Sequence, residues 1–172
     1  MTMDETLDMK FHVGDRVVHP QQGVGYVADL EEKQFEPNHP RLYYVVQIPD
    51  TTVWVPVDLS TTGLRKLSVK SELEQCREVL QATPQMLTAD RGLLSSLIGH
   101  INQGTIIAHC EVVRDLNAFG WRKPLYGPMA EFQRVIQNVL NQEWAVVEEM
   151  SVVEASHEIN GLLKKGRAAH EN

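Results

Sequence analysis

The chain has 172 residues, enough for one ordinary domain or two small ones, and its 42% hydrophobic and 23% charged content is typical of a soluble globular protein. Its formal net charge of −7 excludes simple electrostatic wrapping of nucleic acid, because affinity for phosphates comes largely from cations that release counterions. Any contact with DNA is therefore expected to be local, or to be made with the help of a partner.

The ends and the cysteines of the chain favour a cytoplasmic protein. The first ten residues, MTMDETLDMK, are acidic and lack the apolar region of a signal peptide. No stretch approaches the roughly 20 apolar residues that a membrane-spanning helix needs, so we expect no membrane partner. Cys76 and Cys110 lie in apolar helical patterns without the spacing of metal ligands, which predicts buried free thiols.

Strand signals dominate the first part of the chain. Residues 11–31 (FHVGDRVVHPQQGVGYVADLE) are rich in β-branched and aromatic residues and are punctuated by glycines, which predicts two strands around a glycine turn. Two further strand-like runs, residues 42–48 (LYYVVQI) and 52–57 (TVWVPV), flank a Pro49–Asp50 turn signal. Together they predict a small, strongly bent antiparallel module of SH3-like or Tudor-like type over residues 11–70.

Helical periodicity takes over after Lys70. Ser71 and Glu74 have the spacing of a capping box that would open a first helix. Apolar residues at helical spacing then predict a second helix over about residues 89–102 and a third over about residues 105–119.

A connector rich in glycine and proline, residues 120–128, precedes two more predicted helices. Pro128 suits the first turn of a long fourth helix. Ser151 and Glu154 form a second capping box before a closing helix, and Gly166 is placed to end it. The sequence thus predicts an α+β protein in which residues 71–166 form an all-α domain of about five helices.

The succession GDRVVHPQQGVGYV, YYVV, TVWVPV and GLRKL resembles the RNA-polymerase-interacting domain shared by CarD/CdnL transcription factors and the bacterial transcription-repair coupling factor. The likeness continues into the helical part, where residues 104–116 (GTIIAHCEVVRDL) and the final helical pair resemble CarD-type proteins. It favours a free-standing CarD-like regulator over a fragment of the repair motor. The partner that it implies is the RNA polymerase β subunit.

The resemblance places the polymerase contact on the strand that holds Trp54 and on the preceding hairpin, where family members often use basic side chains. Lys33 keeps such a charge at its matching position, and Trp54 does not. Strand alternation sends Trp54 to the face opposite Val53 and Val55, where it is either displayed as an interface hot spot or packed under the helices. Because Pro56 interrupts a backbone ladder locally, strand addition is expected along the earlier part of this strand.

A DNA contact is also implied, because well-studied CarD proteins wedge a tryptophan into the minor groove at the upstream edge of the melted promoter. Counting back from VRDL (113–116), that position falls at about Asp90, next to Arg91. An aspartate cannot act as an apolar wedge and is repelled by phosphate. Either the alignment slips here, or this protein stabilises the bubble differently or not at all.

The connector offers a substitute platform, because Trp121, Arg122, Lys123 and Tyr126 combine aromatic surface with positive charge. The alternative interpretation is a loop whose aromatic residues cap the helical core. The candidate DNA-contacting residues are Arg91, Arg114, Trp121, Arg122 and Lys123.

Motifs that would indicate catalysis are missing. The seven histidines are scattered without HExxH spacing, no CxxC pair occurs, and the glycines of GVG at residues 23–25 lack dinucleotide-binding spacing. We therefore expect no enzyme activity, metal, cofactor or small-molecule substrate; a small enzyme would need a polar pocket that holds several histidines.

These observations favour a non-enzymatic bacterial transcription regulator that binds the polymerase β subunit and modulates formation of the open promoter complex. The alternative is a polymerase-bound adaptor whose helical domain recruits a protein and does not touch DNA. The acidic character of the helical half and Asp90 favour the adaptor.

Overall fold

A computed structural model describes residues 9–58 and 63–171. One antiparallel sheet of five strands comes first, in the spatial order β4-β3-β2-β1-β5: β1 (Arg16–His19), β2 (Gly23–Glu36), β3 (His39–Ile48), β4 (Thr51–Pro56) and β5 (Arg65–Lys66). Five helices follow: α1 (Lys70–Gln81), α2 (Leu93–Ile101), α3 (Ile106–Phe119), α4 (Gly127–Glu148) and α5 (Val152–Glu171). The predicted α+β fold, a Tudor-like β-module followed by a helical part, is confirmed.

The hairpin of β2 and β3 is longer than the strand signals predict. Pairing continues outward to Glu36 and His39, and the register shifts twice along it, between Val27 and Asp29 and again between Lys33 and Glu36. Such irregularities bend a strand and increase its twist. The hairpin therefore ends in an arm that extends beyond the packed part of the sheet.

The β-module has its own apolar core, which comprises Phe11, Val17, Val27, Tyr44, Val46, Ile48, Val55 and Leu64. Gly25 lies where β2 passes very close to β3, because a Cβ atom at this position would be 2.3 Å from the carbonyl oxygen of Gln47. The missing side chain therefore serves backbone geometry, but Gly25 lies within β2 and not in the turn between strands that the sequence interpretation assigned to GVG.

The helical part is packed around a second core whose largest fully buried side chains include Leu73, Leu116, Ile136, Leu140, Trp144 and Ile159. Cys76 and Cys110 are both fully buried free thiols in this core. Burial, followed by the neighbouring Cys76 thiol, raises the pKa of Cys110 well above its usual value. The thiol therefore stays protonated and unreactive at neutral pH.

The second predicted capping box is confirmed for its Ser151 cap, and the first is wrong. The Ser151 hydroxyl accepts from the Glu154 N–H and donates to its carboxylate, both at 3.1 Å. At the first, α1 begins at Lys70, so the Glu72 carboxylate is the one that accepts from the preceding backbone, and Glu74 pairs with Arg77 at 2.6 Å. The predicted box is displaced because α1 begins before Ser71, with Val69 as its N-cap.

Gly166 does not end the last helix, which continues to Glu171. A Cβ atom at Gly166 would lie 3.0 Å from the carbonyl oxygen of Gln81. The glycine therefore allows α5 to approach the end of α1 closely, and α5 continues beyond this contact to Glu171.

The β-module and the helices meet through a buried ion pair. Arg65 on β5 donates two hydrogen bonds of 2.6 Å to the carboxylate of Glu143 on α4. Ser68 adds its N–H, at 3.1 Å, and its hydroxyl. Burial alone would raise the pKa of Glu143, but Arg65 and then Ser68 outweigh it and hold the pKa below its usual value.

Apolar contacts continue this joint, because Val18 on β1 and Val24 on β2 pack against Val139 on α4. The strands end at Lys66 and the helices begin at Lys70, close to the predicted change at residue 70. The division into a domain of residues 11–70 and a domain of residues 71–166 stays a prediction.

Breaking the ion pair on one side should destabilise the whole chain. We expect Glu143→Ala to lower the free energy of unfolding in urea by about 3–5 kcal/mol, because it leaves the Arg65 charge buried without a partner. The double variant Arg65→Met with Glu143→Leu should recover most of that loss. A single variant as stable as the native chain would show that the pair is not an essential contact.

His109 on α3 is fully buried beside this joint. Its Nε2 donates to the carbonyl oxygen of Ile136 at 2.7 Å, and its Nδ1 has no hydrogen-bond partner among the described residues. Burial, opposed only in part by that hydrogen bond, lowers the pKa of His109 from 6.5 to about 4. The imidazole is therefore neutral in the folded protein at neutral pH.

This buried imidazole makes stability depend on pH. The unfolded chain binds a proton on this side chain near pH 6.5 and the folded chain only near pH 4, so stability falls as the pH drops through that window. The loss amounts to about 3 kcal/mol at most. Urea unfolding at several pH values should show it, and His109→Gln, which keeps a donor for Ile136, should flatten the curve between these limits. If the free energy of unfolding of His109→Gln depends on pH in the same way as that of the native chain, other groups cause the dependence.

Candidate functional site

The outer edge of β4 is unpaired in the described part of the chain, because β4 is the last strand of the sheet order. The Val57 N–H donates to the Leu42 carbonyl at 3.0 Å, so the backbone groups of Val57 point towards β3. Antiparallel bonding alternates along a strand, so the backbone groups of Thr52 and Trp54 point away from β3. The backbone of Pro56 also points away from β3, but proline has no N–H, so it offers a partner strand only its carbonyl oxygen. The edge can thus accept a new strand along its earlier part.

Trp54 is displayed on the surface next to this edge. Val55 is buried in the module core and Val53 packs against it, whereas the Trp54 side chain is 38% exposed, as strand alternation predicts. Its ring contacts come from the β-module, with the Phe35 ring centroid at 6.4 Å and the Lys33 Nζ at 5.9 Å. The structure thus brings together Lys33 and Trp54. The other predicted polymerase-contacting residues, Val53, Val55 and Pro56, lie on the same strand β4, and Val55 is buried in the module core.

Phe35 is a member of this surface that the sequence interpretation missed. Its side chain is 63% exposed and its ring lies 5.2 Å, edge to face, from that of Tyr43. The available signal was its position two residues after Lys33, which places both on one face of a strand. Lys33 itself pairs with Glu31 at 3.3 Å, so part of its charge is neutralised. We call Lys33, Phe35, Trp54 and the free edge of β4 the sheet-edge surface.

Comparison with protein families gives one match, to the CarD-like/TRCF RID domain, over residues 11–68. This chain carries a CarD-like/TRCF RID domain. The matched range contains the whole sheet-edge surface, and it makes this chain an RNA-polymerase-interacting, transcription-related protein. No curated protein matches the chain.

The match of the CarD-like domain ends at Ser68, a residue that itself bonds Glu143 in the buried joint. The helices that follow lie outside the matched range. Their candidate site residues are therefore judged from geometry alone.

The connector between α3 and α4 is packed against the end of α5. The Arg167 guanidinium lies 5.0 Å from the ring centroid of Trp121, and the His170 ring lies 5.9 Å from it. The sequence interpretation ended this helix at Gly166, before both residues. Their spacing of three residues, which places them on one helix face, was the available signal. Both reach the connector because α5 continues past Gly166.

Two adjoining cavities lie beside the connector, and both are lined in part by Phe119 and Lys123. The larger, about 580 Å³, also has Arg91 and Tyr126 in its wall. The smaller, about 480 Å³, has Trp121, Arg122, Arg167 and His170 in its wall. Four of the five predicted DNA-contacting residues, Arg91, Trp121, Arg122 and Lys123, therefore share one surface, which we call the connector surface.

Arg114 is placed differently from the other candidates. Its side chain is 11% exposed, and its Nε donates to the Asp115 carboxylate at 2.8 Å. A second bond of 3.4 Å reaches the Val79 carbonyl on α1. These contacts tie Arg114 into the helical packing, so our proposal leaves it out of the DNA-contacting set.

Asp90, near which the resemblance predicts the tryptophan wedge, has a local role. Its carboxylate accepts from the Gly92 N–H at 2.9 Å, just before α2 begins. It also lines the larger cavity, close to Arg91 in sequence. Its charge therefore reduces the positive potential of that cavity relative to the smaller one.

The remaining polar clusters offer no further site. Across residues 9–58 and 63–171, no three His, Cys, Asp or Glu side chains are grouped closely enough to hold a metal ion. The nearest arrangement to a catalytic pair is His100 with Glu111, whose side chains meet at 3.1 Å on the surface. No helix within the described residues is long and apolar enough to cross a bilayer.

Proposed function

We propose that this chain is a non-enzymatic bacterial transcription regulator that docks on the RNA polymerase β subunit and modulates formation of the open promoter complex. It acts in the cytoplasm, on the nucleoid, through polymerase. The sheet-edge surface binds the β subunit, and the connector surface contacts promoter DNA near the upstream edge of the bubble. The chain thereby works as a CarD-like regulator.

The free edge of β4 is the observation that carries this proposal. An unpaired strand with outward backbone groups at Thr52 and Trp54 is suited to strand addition, in which main-chain hydrogen bonds supply affinity. Trp54 and Phe35 lie exposed beside it, and aromatic residues in such positions are frequent interface hot spots. Natural proteins rarely leave an edge of this kind uncovered without a use for it.

Trp54→Ala should weaken binding to an isolated β-lobe fragment of RNA polymerase by about 2 kcal/mol or more, a factor of roughly thirty in Kd. Lys33→Glu should also weaken it, because the variant reverses the charge that lies over the indole ring. Isothermal titration calorimetry measures both. Unchanged affinity in a folded Trp54→Ala variant would remove Trp54 from the interface.

Two further variants separate backbone pairing from side-chain contacts. Thr52→Pro removes an outward N–H without touching the β3–β4 ladder, and Thr52→Ala is its matched control because both lose the 2.9 Å hydrogen bond to Gln47. Strand addition requires that only the proline variant loses affinity. Tyr126→Ala, which removes an exposed aromatic residue from the helical half, should leave β-lobe binding unchanged.

The DNA contact relies on tethering. A chain with net charge −7 gains little from long-range attraction to DNA, but docking on polymerase raises the local concentration of the connector surface at the promoter. Arg91, Arg122 and Lys123 have no carboxylate within ion-pair distance among the described residues, so their charges are available for phosphates.

A footprint of the polymerase–promoter complex tests this contact. With the native chain, we expect added protection at the upstream edge of the bubble, and Arg122→Glu should abolish it because phosphate then meets a like charge. Lys164→Glu makes the same charge change on α5, away from the cavity wall, and should keep the protection. Loss of protection in both variants would indicate a general charge effect instead of a local contact.

The adaptor alternative is supported by the larger cavity. Leu93, Leu94, Leu125 and Met129 give it an apolar wall, which suits a hydrophobic side chain of a partner protein. If the chain binds the β-lobe but adds no DNA protection, the helical half acts as an adaptor. Selective loss of an upstream footprint in Trp121→Ala or Arg122→Ala excludes it.

A further inference from the structure

The smaller cavity of the connector surface differs in chemistry from the rest of this acidic protein. Its apolar wall comes from Pro84, Leu87, Phe119 and the indole of Trp121. Its volume of about 480 Å³ falls within the range of about 300–1,000 Å³ that is usual for small-ligand sites. It therefore has room for an aromatic ring together with an attached charged group.

The charged side chains of the wall are cationic. Arg122, Lys123 and Arg167 line the cavity together with Gln85 and His170, and no described lining residue is acidic. Elsewhere in the chain, Arg65, Arg77 and Arg114 are each held by carboxylates. Because Arg122 and Lys123 form no ion pair with a carboxylate among the described residues, the cavity favours an anionic ligand, and guanidinium groups match phosphate geometry well.

The indole of Trp121 is already oriented within this wall. Arg167 lies over its ring and His170 lies beside it, so both the ring and the cation are placed before a ligand arrives. The Arg122 guanidinium contacts the sulfur of Met86 at 3.2 Å. A thioether is only a weak acceptor, so a phosphate oxygen can displace it at little cost.

We propose that this cavity binds an unpaired nucleotide, with its base against the apolar wall near Trp121 and its phosphate on Arg122 and Lys123. A base within a duplex is stacked and paired, and it enters a concave pocket only after it has been flipped out at a cost of a few kcal/mol. A nucleotide in a melted strand is already unpaired, so it can enter the pocket without that cost. The inference deepens the proposed function and rests on it, because an open complex exposes unpaired bases.

The same chemistry is present in a single DNA strand and in a free nucleotide. Fluorescence anisotropy of the full-length chain with a labelled single strand of about ten nucleotides, without polymerase, tests the proposal. The competitors are the matched duplex and a nucleoside monophosphate. We expect the single strand to bind, with weaker binding at higher salt, and the duplex to compete at least about tenfold less well.

The monophosphate arm identifies the source of the ligand. Displacement of the strand by monophosphate shows that the cavity accepts a free nucleotide, and failure to displace it shows that the ligand is the strand; both outcomes support an unpaired-nucleotide site. Failure of the strand and of the monophosphate to bind would overturn the proposal. Equal binding of strand and duplex would overturn it as well.

Variants locate the site. Arg122→Gln should weaken single-strand binding by about tenfold or more, as should Trp121→Ala, because stacking contributes substantially for each base. Arg122 is exposed, so its variant keeps the test valid if Trp121→Ala fails to fold. Lys164→Gln, an equal charge change elsewhere on α5, should alter binding by no more than about twofold. An Arg122→Gln variant with native affinity would overturn the assignment.

The polymerase proposal and this inference fail independently. If the chain binds the β-lobe fragment but no single strand or nucleotide, only the nucleotide site is lost. If it binds the single strand but not the β-lobe, the sheet-edge proposal is lost and the nucleotide site stands.

Discussion

The arrangement of the two halves depends on one buried ion pair, Arg65 with Glu143. Both side chains are almost completely withdrawn from water, and Ser68 adds two donors to the same carboxylate. Such a pair is costly to desolvate, and well-packed apolar residues are often as stabilising. What apolar residues lack is direction: two parallel N–H···O bonds fix the guanidinium relative to the carboxylate. We therefore attribute to this pair the angle at which α4 meets the sheet.

The position of that contact also determines which sheet edge is free. Val18, Val24 and Arg65, from β1, β2 and β5, are the residues that pack on α4, so the helices cover the β5 end of the strand order. β4 lies at the opposite end, and its outward backbone groups at Thr52 and Trp54 are left for a partner. The same interface that gives the chain its stability thus leaves open the sheet-edge surface, which we propose as the polymerase contact.

Most features that depend on neighbours in sequence could be predicted, with the capping box at Ser71 as an exception, and those that depend on distant residues could not. Alternation within one strand correctly placed Trp54 outward. In the sequence, Glu143 could not be distinguished from the other polar residues of its helix, because its partner Arg65 is 78 residues away. Gly166 resembled a helix end because its actual neighbour, Gln81, belongs to another helix. For the same reason the contact of Arg167 with Trp121 could not be predicted.

The distribution of charge gives the acidic composition a role in the proposed function. Carboxylates neutralise the arginines that hold the helices together, such as Arg77 and Arg114, so the unpaired cations Arg122 and Lys123 stand out at the connector. At distances beyond the Debye length, about 8 Å at physiological salt, the net negative charge is screened and gives DNA no attraction. Within that distance, the local cations dominate. A free chain would therefore ignore duplex DNA, and docking on polymerase would bring its connector close enough to contact the promoter.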